Sequence, residues 1–300
     1  MLTAERAAAR AGRLLGDHAA LRRLLNESGR CRVRAAEAAT LGEVPDAIRE
    51  LGLPLVVRRT DGAGRRRVGL LSTAAEVTAW FARRAAERAR GPYLLEELVE
   101  GPVFGVLTLT VEGSHQVLAL TSRRSEGPFG RADVEECYPA VLDDADVAEL
   151  RAAATALLDL AGWEFGLSYV QAALTDRGAV VLAAEPGAGD RTPTLLRLAA
   201  GFDPELWLSR ALTGEQVPTP RPETAAATVD FRLHEPGGGG STAPAAGIAA
   251  VAELPYVRVC TADAGTGRVV VEGPESALVA ERVASVRQLL GRDQSGIRTG

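Results

Sequence analysis

The sequence predicts an α/β protein in which helices and strands mix within each lobe. Two observations support this prediction. Segments with apolar residues at helical spacing alternate along the chain with short apolar runs typical of strands, and several of those runs are joined by glycine-containing turns. A chain of 300 residues with 46% hydrophobic composition is long enough to bury a sizeable core and to form one large or two medium domains.

The predicted helices have start signals as well as helical spacing. Asp17 stands in the N-cap position before a helical segment, and the pairs Thr40 with Glu43 and Thr73 with Glu76 have the spacing of a capping box. The predicted helices cover residues 5–15, 18–25, 46–51, 74–90, 146–160, 193–200, 204–212 and 274–290.

The predicted strands are short apolar runs bounded by glycine, proline or polar turn residues. They cover residues 53–57, 68–71, 93–99, 103–110, 115–121, 167–174, 179–184, 226–233, 256–261 and 268–271. Residues 125–138 are predicted to be a polar loop, and residues 217–223, with three prolines, indicate a linker. The glycine-rich stretch 235–247 is predicted to hold no single conformation.

The rest of the chain is organised around residues 51–71, which have the pattern of a buried strand, a glycine loop and a second strand. Gly62 and Gly64 supply positions where positive φ is favourable. Backbone amides of such a loop can cradle phosphate oxygens, and Arg58 with the arginine run 65–67 would add positive charge. The alternative interpretation is a glycine-rich hairpin turn beside a solvated arginine run.

Composition excludes some classes of function. The net charge of -5 and the pI near 5.5 argue against a sequence-blind nucleic-acid binder, whose surface would be basic. The sequence has no apolar run long enough to span a bilayer and no secretory signal, so we expect a cytoplasmic protein without a membrane partner. Cys31, Cys137 and Cys260 lie far apart and are interpreted as reduced, structural thiols.

Four stretches of the chain, residues 17–29, 51–68, 93–106 and 166–203, resemble, in order and spacing, motifs of the ATP-grasp superfamily. The resemblance is to its carboxylate-amine ligases, which join an amino acid to a carboxylate through an acyl phosphate. Residues 17–29 (DHAALRRLLNESG) resemble the family's first helix, and residues 51–68 (LGLPLVVRRTDGAGRRRV) resemble its phosphate-loop hairpin. Residues 93–106 (YLLEELVEGPVFGV) resemble its adenine hinge and following strand, and residues 166–203 resemble its metal-site strand pair and closing helix.

The resemblance covers most of the chain and implies an ATP-grasp-like fold of two α+β lobes with a small C-terminal antiparallel subdomain. It also implies a division of the chain. The implied segments are 1–100 with the first helices and first lobe, 101–216 with the second lobe and metal-site strands, 217–224 as linker, 225–291 as C-terminal subdomain and 292–300 as disordered tail.

The resemblance implies where a nucleotide would bind. In the family a strand lysine contacts the ATP phosphates, but this chain contains no lysine, and Arg58 stands at that position, followed by Gly62 and Gly64. Arginine keeps the positive charge in a planar, bidentate group. The main chain of the family's hinge recognises the adenine edge, although a hinge of this pattern would also simply finish an edge strand. The matching hinge residues are Glu96, Glu97, Leu98 and Val99.

The family's metal-binding carboxylates are not reproduced. Mg²⁺ takes hard oxygen ligands, usually one or two carboxylates together with substrate phosphates. Val103 and Gln171 stand at two of the carboxylate positions, and Glu185 is the nearest substitute at the third. The candidate metal ligands are therefore Glu185 and Gln171. Arg191, in a Gly-Asp-Arg run that matches the family, is the candidate catalytic residue as a contact to a substrate carboxylate.

Two functions follow from the resemblance. The favoured hypothesis is a degenerate ATP-grasp protein with an auxiliary or non-catalytic role in a biosynthetic pathway. The alternative is a divergent but active ATP-dependent carboxylate-amine ligase that works through an acyl phosphate. The cofactors would be ATP and Mg²⁺ if the site works, and ATP alone or none otherwise. The expected partners are an intact ligase subunit or a chain that supplies the family's N-terminal domain, with small-molecule amine and carboxylate substrates in the active case.

Overall fold

The computed structural model describes residues 2–29, 33–60, 66–88, 90–125, 134–233, 245–263 and 265–291. Its helices are α1 (Leu2–Gly16), α2 (His18–Ser28), α3 (Val44–Leu51), α4 (Ala74–Ala86), α5 (Asp144–Ala161), α6 (Thr192–Ala200), α7 (Pro204–Ala211), α8 (Ala245–Ala252) and α9 (Ser276–Leu289). Its strands are β1 (Ala35–Ala38), β2 (Leu55–Arg59), β3 (Arg66–Leu71), β4 (Tyr93–Glu97), β5 (Val103–Val111), β6 (Ser114–Ser125), β7 (Val134–Tyr138), β8 (Gly166–Thr175), β9 (Gly178–Pro186), β10 (Ala225–Arg232), β11 (Val257–Asp263) and β12 (Thr266–Gly273). The predicted α/β class is confirmed.

The first lobe holds a four-stranded antiparallel sheet in the order β1-β4-β2-β3. Apolar side chains of α3 and α4 pack on this sheet and form one core with it. In that core Trp80 of α4 and Tyr93 of β4 are fully buried, and their rings meet edge to face with centroids 5.8 Å apart. The strand β4, which carries the predicted hinge, is therefore an inner strand with a partner on each side.

Two of the three predicted helix starts are confirmed. The Asp17 carboxylate accepts the backbone N–H groups of Ala19 and Ala20 at the start of α2. Thr73 and Glu76 form a complete capping box at the start of α4. The capping box predicted at Thr40 is wrong, because α3 begins directly after Glu43, whose carboxylate instead accepts the Ala39 N–H and the Thr40 hydroxyl.

The second sheet has eight antiparallel strands in the order β11-β12-β10-β7-β6-β5-β8-β9. One face of its β5-β6-β8-β9 part packs against α1, α2 and α5, around Leu150, Leu157 and Val170. The opposite face packs against α6 and α7, around Leu107, Tyr169 and Leu195. Because side chains alternate along each strand, every strand in the middle of this sheet contributes to both cores.

The strands of the predicted C-terminal subdomain continue this sheet. β10 pairs with β12 on one side and with β7 on the other, where Ala226 lies opposite Tyr138. The C-terminal strands and the strands of the second lobe therefore form one continuous sheet. α9 packs on β10 and β12 with its own apolar cluster, which includes Phe231, Val271 and Val283. The predicted division of the chain at residues 217–224 stays a prediction.

Four elements differ from the sequence predictions. Residues 125–138 were expected to be a polar loop, but Val134–Tyr138 form the inner strand β7. β1 and α8 lie in stretches where neither a strand nor a helix was predicted. The helix expected to reach residue 90 ends at Ala86. In the described part of the chain, none of the helices has the length and apolar character needed to cross a bilayer.

Candidate functional site

The predicted hinge lies at the end of β4, where the two lobes meet. Glu96 is only 4% exposed although it carries a charge, because β1 and β2 flank it and α2 covers it. Its carboxylate accepts Arg22 Nε at 2.7 Å from α2 and Arg58 Nε at 2.8 Å from β2. Arg22 is itself 4% exposed and donates through Nη2 to the Val181 carbonyl of the edge strand β9 at 3.1 Å. The sequence-predicted residues Arg58 and Glu96 are thus brought together.

This buried triad sets the charge state of Glu96. Burial alone would raise the pKa of Glu96, but the charges and hydrogen bonds of Arg58 and Arg22 outweigh it, so this pKa lies below its ordinary value. Three charged groups in one buried cluster carry a net charge of one positive unit. Removing such charges from water is expensive unless each one is paired, so replacing one member of the triad alone would leave an uncompensated buried charge.

Glu97 makes a second set of ion pairs next to the first. Its carboxylate accepts Arg34 Nε and Arg177 Nη1, each at 2.9 Å. Arg34 precedes β1, whereas Arg177 stands in the turn between β8 and β9, so Glu97 connects the two lobes. Burial opposes ionisation here, but the bonds from Arg34 and Arg177 lower the pKa of Glu97 below its ordinary value.

Two backbone N–H groups of the hinge already donate hydrogen bonds to carbonyls of the first lobe. The Glu97 N–H donates to the Arg34 carbonyl at 2.9 Å, and the Leu98 N–H donates to the Pro54 carbonyl at 3.2 Å. Val99 stands two residues beyond the end of β4. Gly62 and Gly64, predicted to bind phosphate, lie outside the described residues.

The predicted metal ligands stand on neighbouring strands and share one face. Glu185 of β9 lies directly opposite Tyr169 of β8, and Gln171 is two residues further along β8. Residues opposite each other in an antiparallel pair, and residues two apart in one strand, project from the same side of the sheet. Gln171 and Glu185 are therefore diagonal neighbours on the face that also carries the Tyr169 side chain.

Arg191, predicted to meet a substrate carboxylate, is bound to carboxylates of the chain itself. Its Nε donates to Asp230 Oδ2 at 3.0 Å, its Nη2 donates to the same oxygen, and its Nη1 donates to Asp190 at 2.8 Å. Arg268 bonds to both aspartates as well, with Nε at 2.6 Å from Asp230 Oδ1. Burial opposes ionisation of Asp230, but Arg268 and Arg191 outweigh it and lower its pKa.

The same face carries a buried carboxylate that was not predicted from the sequence, Glu136 of β7. Glu136 is 1% exposed, and its Oε1 accepts the hydroxyls of Thr121 at 3.0 Å, Tyr169 at 3.0 Å and Thr192 at 2.7 Å. Arg123 of β6 lies opposite Glu136 in the ladder, with Nη1 4.0 Å from Oε2. Burial, and to a lesser extent the nearby Glu136 charge, raise the pKa of Tyr169. The Tyr169 hydroxyl therefore keeps its proton and donates it in the bond to Glu136.

Comparison with known proteins identifies the fold of the chain. No protein-family model and no curated protein matches the chain. An L-amino acid ligase from Bacillus licheniformis superimposes with a TM-score of 0.71 at 17% identity, covering 93% of this chain and 71% of the ligase. An N5-carboxyaminoimidazole synthase from Aspergillus clavatus, solved with ADP and its ribonucleotide, gives 0.71 at 12% identity, covering 97% and 79%.

A glycinamide-RNase-transformylase T from Mycobacterium tuberculosis gives a TM-score of 0.66 at 18% identity, covering 94% of this chain and 73% of that one. These solved structures are ATP-grasp proteins. The chain has the ATP-grasp fold. The structural similarity establishes the ATP-grasp fold. At identities this low it does not establish an activity.

The residues on the β8–β9 face do not make the site that Mg²⁺ prefers. Glu185 offers one carboxylate, but Gln171 offers an uncharged amide, and Mg²⁺ gives up its water shell reluctantly without formal charge on its ligands. Among the described residues, no three His, Cys, Asp or Glu side chains lie together in a group able to hold a metal ion. The ATP-grasp fold is therefore present with a donor set that departs from a magnesium site.

The signal for Glu136 was present in the sequence but weak. Val134, Glu136 and Tyr138 alternate with Glu135 and Cys137, which is the period of a strand, yet two adjacent glutamates favour a loop. What buries Glu136 is its partner strands β6 and β10, which stand on either side of β7 in the ATP-grasp sheet.

Proposed function

We propose that this protein is a ligase-type ATP-grasp protein whose site no longer performs ligation and which acts as an auxiliary component of a biosynthetic system. The observation that supports this proposal is that the two arginines expected to meet anionic ligand groups are bound by carboxylates of the chain itself. Arg58 is paired with Glu96 inside the hinge, and Arg191 is held by Asp230 and Asp190.

The bonds of Arg191 make it a poor contact for a substrate carboxylate. A substrate would have to displace Asp230, which is also bonded through both oxygens to Arg268. Bidentate pairs of arginine and carboxylate are among the strongest hydrogen-bonded contacts in proteins. An incoming carboxylate would therefore exchange one such pair for another and gain little affinity.

The nucleotide would bind at the hinge if it binds at all. The structural relatives include proteins solved with ADP or ATP. In the proposed role the chain keeps the hinge main chain near Val99 for the adenine edge, and catalysis, if required, is carried out by a partner. The partner would be an intact ligase or a chain with the α/β domain that the family carries before its ATP-grasp lobes.

The test is a measurement of ADP and phosphate release from ATP and Mg²⁺ with the purified chain. Amino acids would be supplied in pairs as amine and carboxylate, with an active L-amino acid ligase assayed in parallel. We expect no ADP release above that of the heat-denatured chain. Amino-acid-dependent ADP release at a rate within two orders of magnitude of the active ligase would overturn the auxiliary role.

A second candidate is an active ATP-dependent ligase that forms an acyl phosphate. The observation that favours it is that Gln171, Glu185 and Glu136 belong to one region of a single sheet face, so carboxylates do line that face. In this case Glu185→Gln would abolish the amino-acid-dependent ADP release. The exposed Glu281→Gln on α9 would leave that rate unchanged and serves as the control.

A further inference from the structure

A pocket of about 260 Å³ opens between the tip of the β5–β6 hairpin and the segment that follows α7. It lies at the end of β5 that is remote from the hinge. Leu109, which lines the pocket, stands six residues beyond Val103, where β5 begins, and this spacing corresponds to roughly 20 Å along a strand. The described residues that line the pocket include none of the sequence-predicted site residues.

Hydrogen bonds hold the two sides of this pocket together. Gln116 of β6 donates through Nε2 to the Val217 carbonyl at 3.2 Å, so the segment after α7 is tied to the hairpin. The Glu215 N–H donates to the Arg210 carbonyl at 3.1 Å, which turns the chain back on the end of α7 and fixes the place of Glu215. A pocket that is already formed binds a ligand at a lower cost in conformational entropy.

The pocket has an apolar floor and a polar rim. The floor consists of Leu109, Val111, Ala211 and Val217, and the rim consists of Ser114, Gln116 and Glu215. Leu109 and Ala211 are buried, whereas Ser114 and Glu215 are exposed. A mainly apolar lining with a few polar groups that fix orientation is the usual design of a small-molecule site.

The polar groups at the rim offer acceptors. Within the described part of the chain, the Glu215 carboxylate, the Ser114 hydroxyl and Gln116 Oε1 receive no hydrogen bond. An ammonium group has three N–H donors and no acceptor, and its hydrogen bonds to a carboxylate are strengthened by charge. Three acceptors with one negative charge therefore match a protonated primary amine.

The same rim does not suit a carboxylate. Among the described residues that line the pocket, Glu215 carries the only charge. The guanidinium of Arg210, the arginine nearest to Glu215 in the sequence, lies over the ring of Trp207, 4.9 Å from its centroid. A free amino acid would bring its carboxylate close to Glu215 without a cation to pair with it. The rim thus discriminates against the zwitterion.

We propose that this pocket binds a small primary amine that has an apolar body and no carboxylate beside its amino group. The ammonium group donates to Glu215, Ser114 and Gln116, and the apolar body covers Leu109 and Val111. A free amine and the amino end of a peptide share this chemistry. The inference goes beyond the proposed auxiliary role and does not depend on it, because the pocket and the hinge lie at opposite ends of β5.

The experiment is an NMR titration of the isotope-labelled full chain with isoamylamine near neutral pH. The backbone amide signals of Ser114, Gln116 and Glu215 are followed. We expect saturable shifts of these signals at millimolar concentrations of the amine. Methylamine lacks the apolar body and isoamyl alcohol lacks the charge, so each should bind at least roughly tenfold more weakly.

Two further probes define the ligand. Leucine adds a carboxylate to the same apolar amine and should also bind at least roughly tenfold more weakly, because that carboxylate meets Glu215 unpaired. Leucinamide presents the amino end of a peptide without the charge of a carboxylate. Tighter binding of leucinamide than of isoamylamine identifies the amino end of a peptide as the ligand, and weaker binding identifies a free amine.

One variant tests the role of the carboxylate. Glu215→Gln keeps the shape of the rim and removes its charge, so we expect the affinity for isoamylamine to fall at least roughly tenfold, as for one charged hydrogen bond. Glu223→Gln changes an exposed carboxylate that follows the same segment and does not line the pocket. This variant is the matched control and should bind isoamylamine as the unmodified chain does.

Three results would overturn the inference. The first is the absence of saturable shifts at the pocket amides with isoamylamine. The second is binding of leucine or isoamyl alcohol as tight as that of isoamylamine. The third is an unchanged affinity in Glu215→Gln while its melting temperature confirms that it is folded. None of them bears on the proposed auxiliary role, which fails only if amino-acid-dependent ADP release is found.

Discussion

The hydroxyl of Tyr169 lies over Gly105, at the place where a side chain on β5 would project. A β-carbon built on Gly105 would come within 2.1 Å of the Tyr169 hydroxyl and 2.5 Å of Thr121 Oγ1. Both of those hydroxyls donate to Glu136. The absence of a side chain at Gly105 is therefore what allows Tyr169 of β8 and Thr121 of β6 to direct hydrogen bonds at one carboxylate oxygen.

Gly105→Ala should destabilise the protein, because Tyr169 and Thr121 must move away from Glu136 to make room. Overpacking of this kind costs about 1–3 kcal/mol in the free energy of unfolding. Chemical denaturation followed by circular dichroism measures that change. Gly12→Ala, inside α1, would place its β-carbon 3.6 Å from the Trp163 ring, an ordinary contact, and should be neutral or stabilising. Equal effects at both glycines would contradict the crowding argument.

Glu136→Leu should be more harmful than the loss of any one of its partners. The substitution leaves the hydroxyls of Thr121, Tyr169 and Thr192 without their acceptor and removes the carboxylate opposite Arg123. Breaking a buried polar cluster by removing its centre costs about 3–5 kcal/mol. Thr192→Val, which removes one donor, should cost about 1 kcal/mol. Similar unfolding free energies for the two variants would show that the convergence on Oε1 contributes little.

Stability should fall at acid pH through Asp230. Its pKa in the folded chain is lowered below the ordinary value, so the unfolded chain binds a proton more readily. The stabilisation is therefore complete above the unfolded pKa, near pH 4, and is lost as the pH falls through the folded pKa. Unfolding titrations at stepped pH would show a slope below pH 4 that is shallower in Asp230→Asn. An unchanged slope would mean that Arg191 and Arg268 do not stabilise the ionised form.

The two capping-box sequences should respond differently to the same substitution. Thr73→Ala removes the side-chain acceptor of the Glu76 N–H at the start of α4 and should cost about 1 kcal/mol. Thr40→Ala removes only an exposed bond to Glu43 outside the helix and should cost less than half as much. Thermal unfolding of the two variants makes the comparison, and a larger loss at Thr40 would reverse it.

The capping boxes also show how far the sequence predicts this fold. Helix spacing, glycine turns and hairpins are local, and they located most of the helices and all strands except β1 and β7. The environments of the site residues were harder to predict, because they depend on partners that are distant in the sequence. Arg58 and Glu96 could be named from motif order, but the Arg22 that completes their triad lies on a helix 74 residues before Glu96.

Arg191 illustrates the same limit. A Gly-Asp-Arg run predicts a guanidinium available for a ligand, but Asp230, 39 residues away on β10, bonds to it instead. Pairing between strands that are remote in sequence brings those two groups together. No local pattern around Arg191 contains that information.

The pairing of β7 with β10 has a consequence for how the chain is made. Five elements lie between these two neighbouring strands in the sequence and are synthesised before β10: α5, β8, β9, α6 and α7. Until β10 emerges, β7 is the last strand on its side of a growing sheet and shows one unpaired edge of backbone donors and acceptors. A stalled or truncated nascent chain would therefore offer a template for pairing with another chain, and completion of synthesis is what closes it.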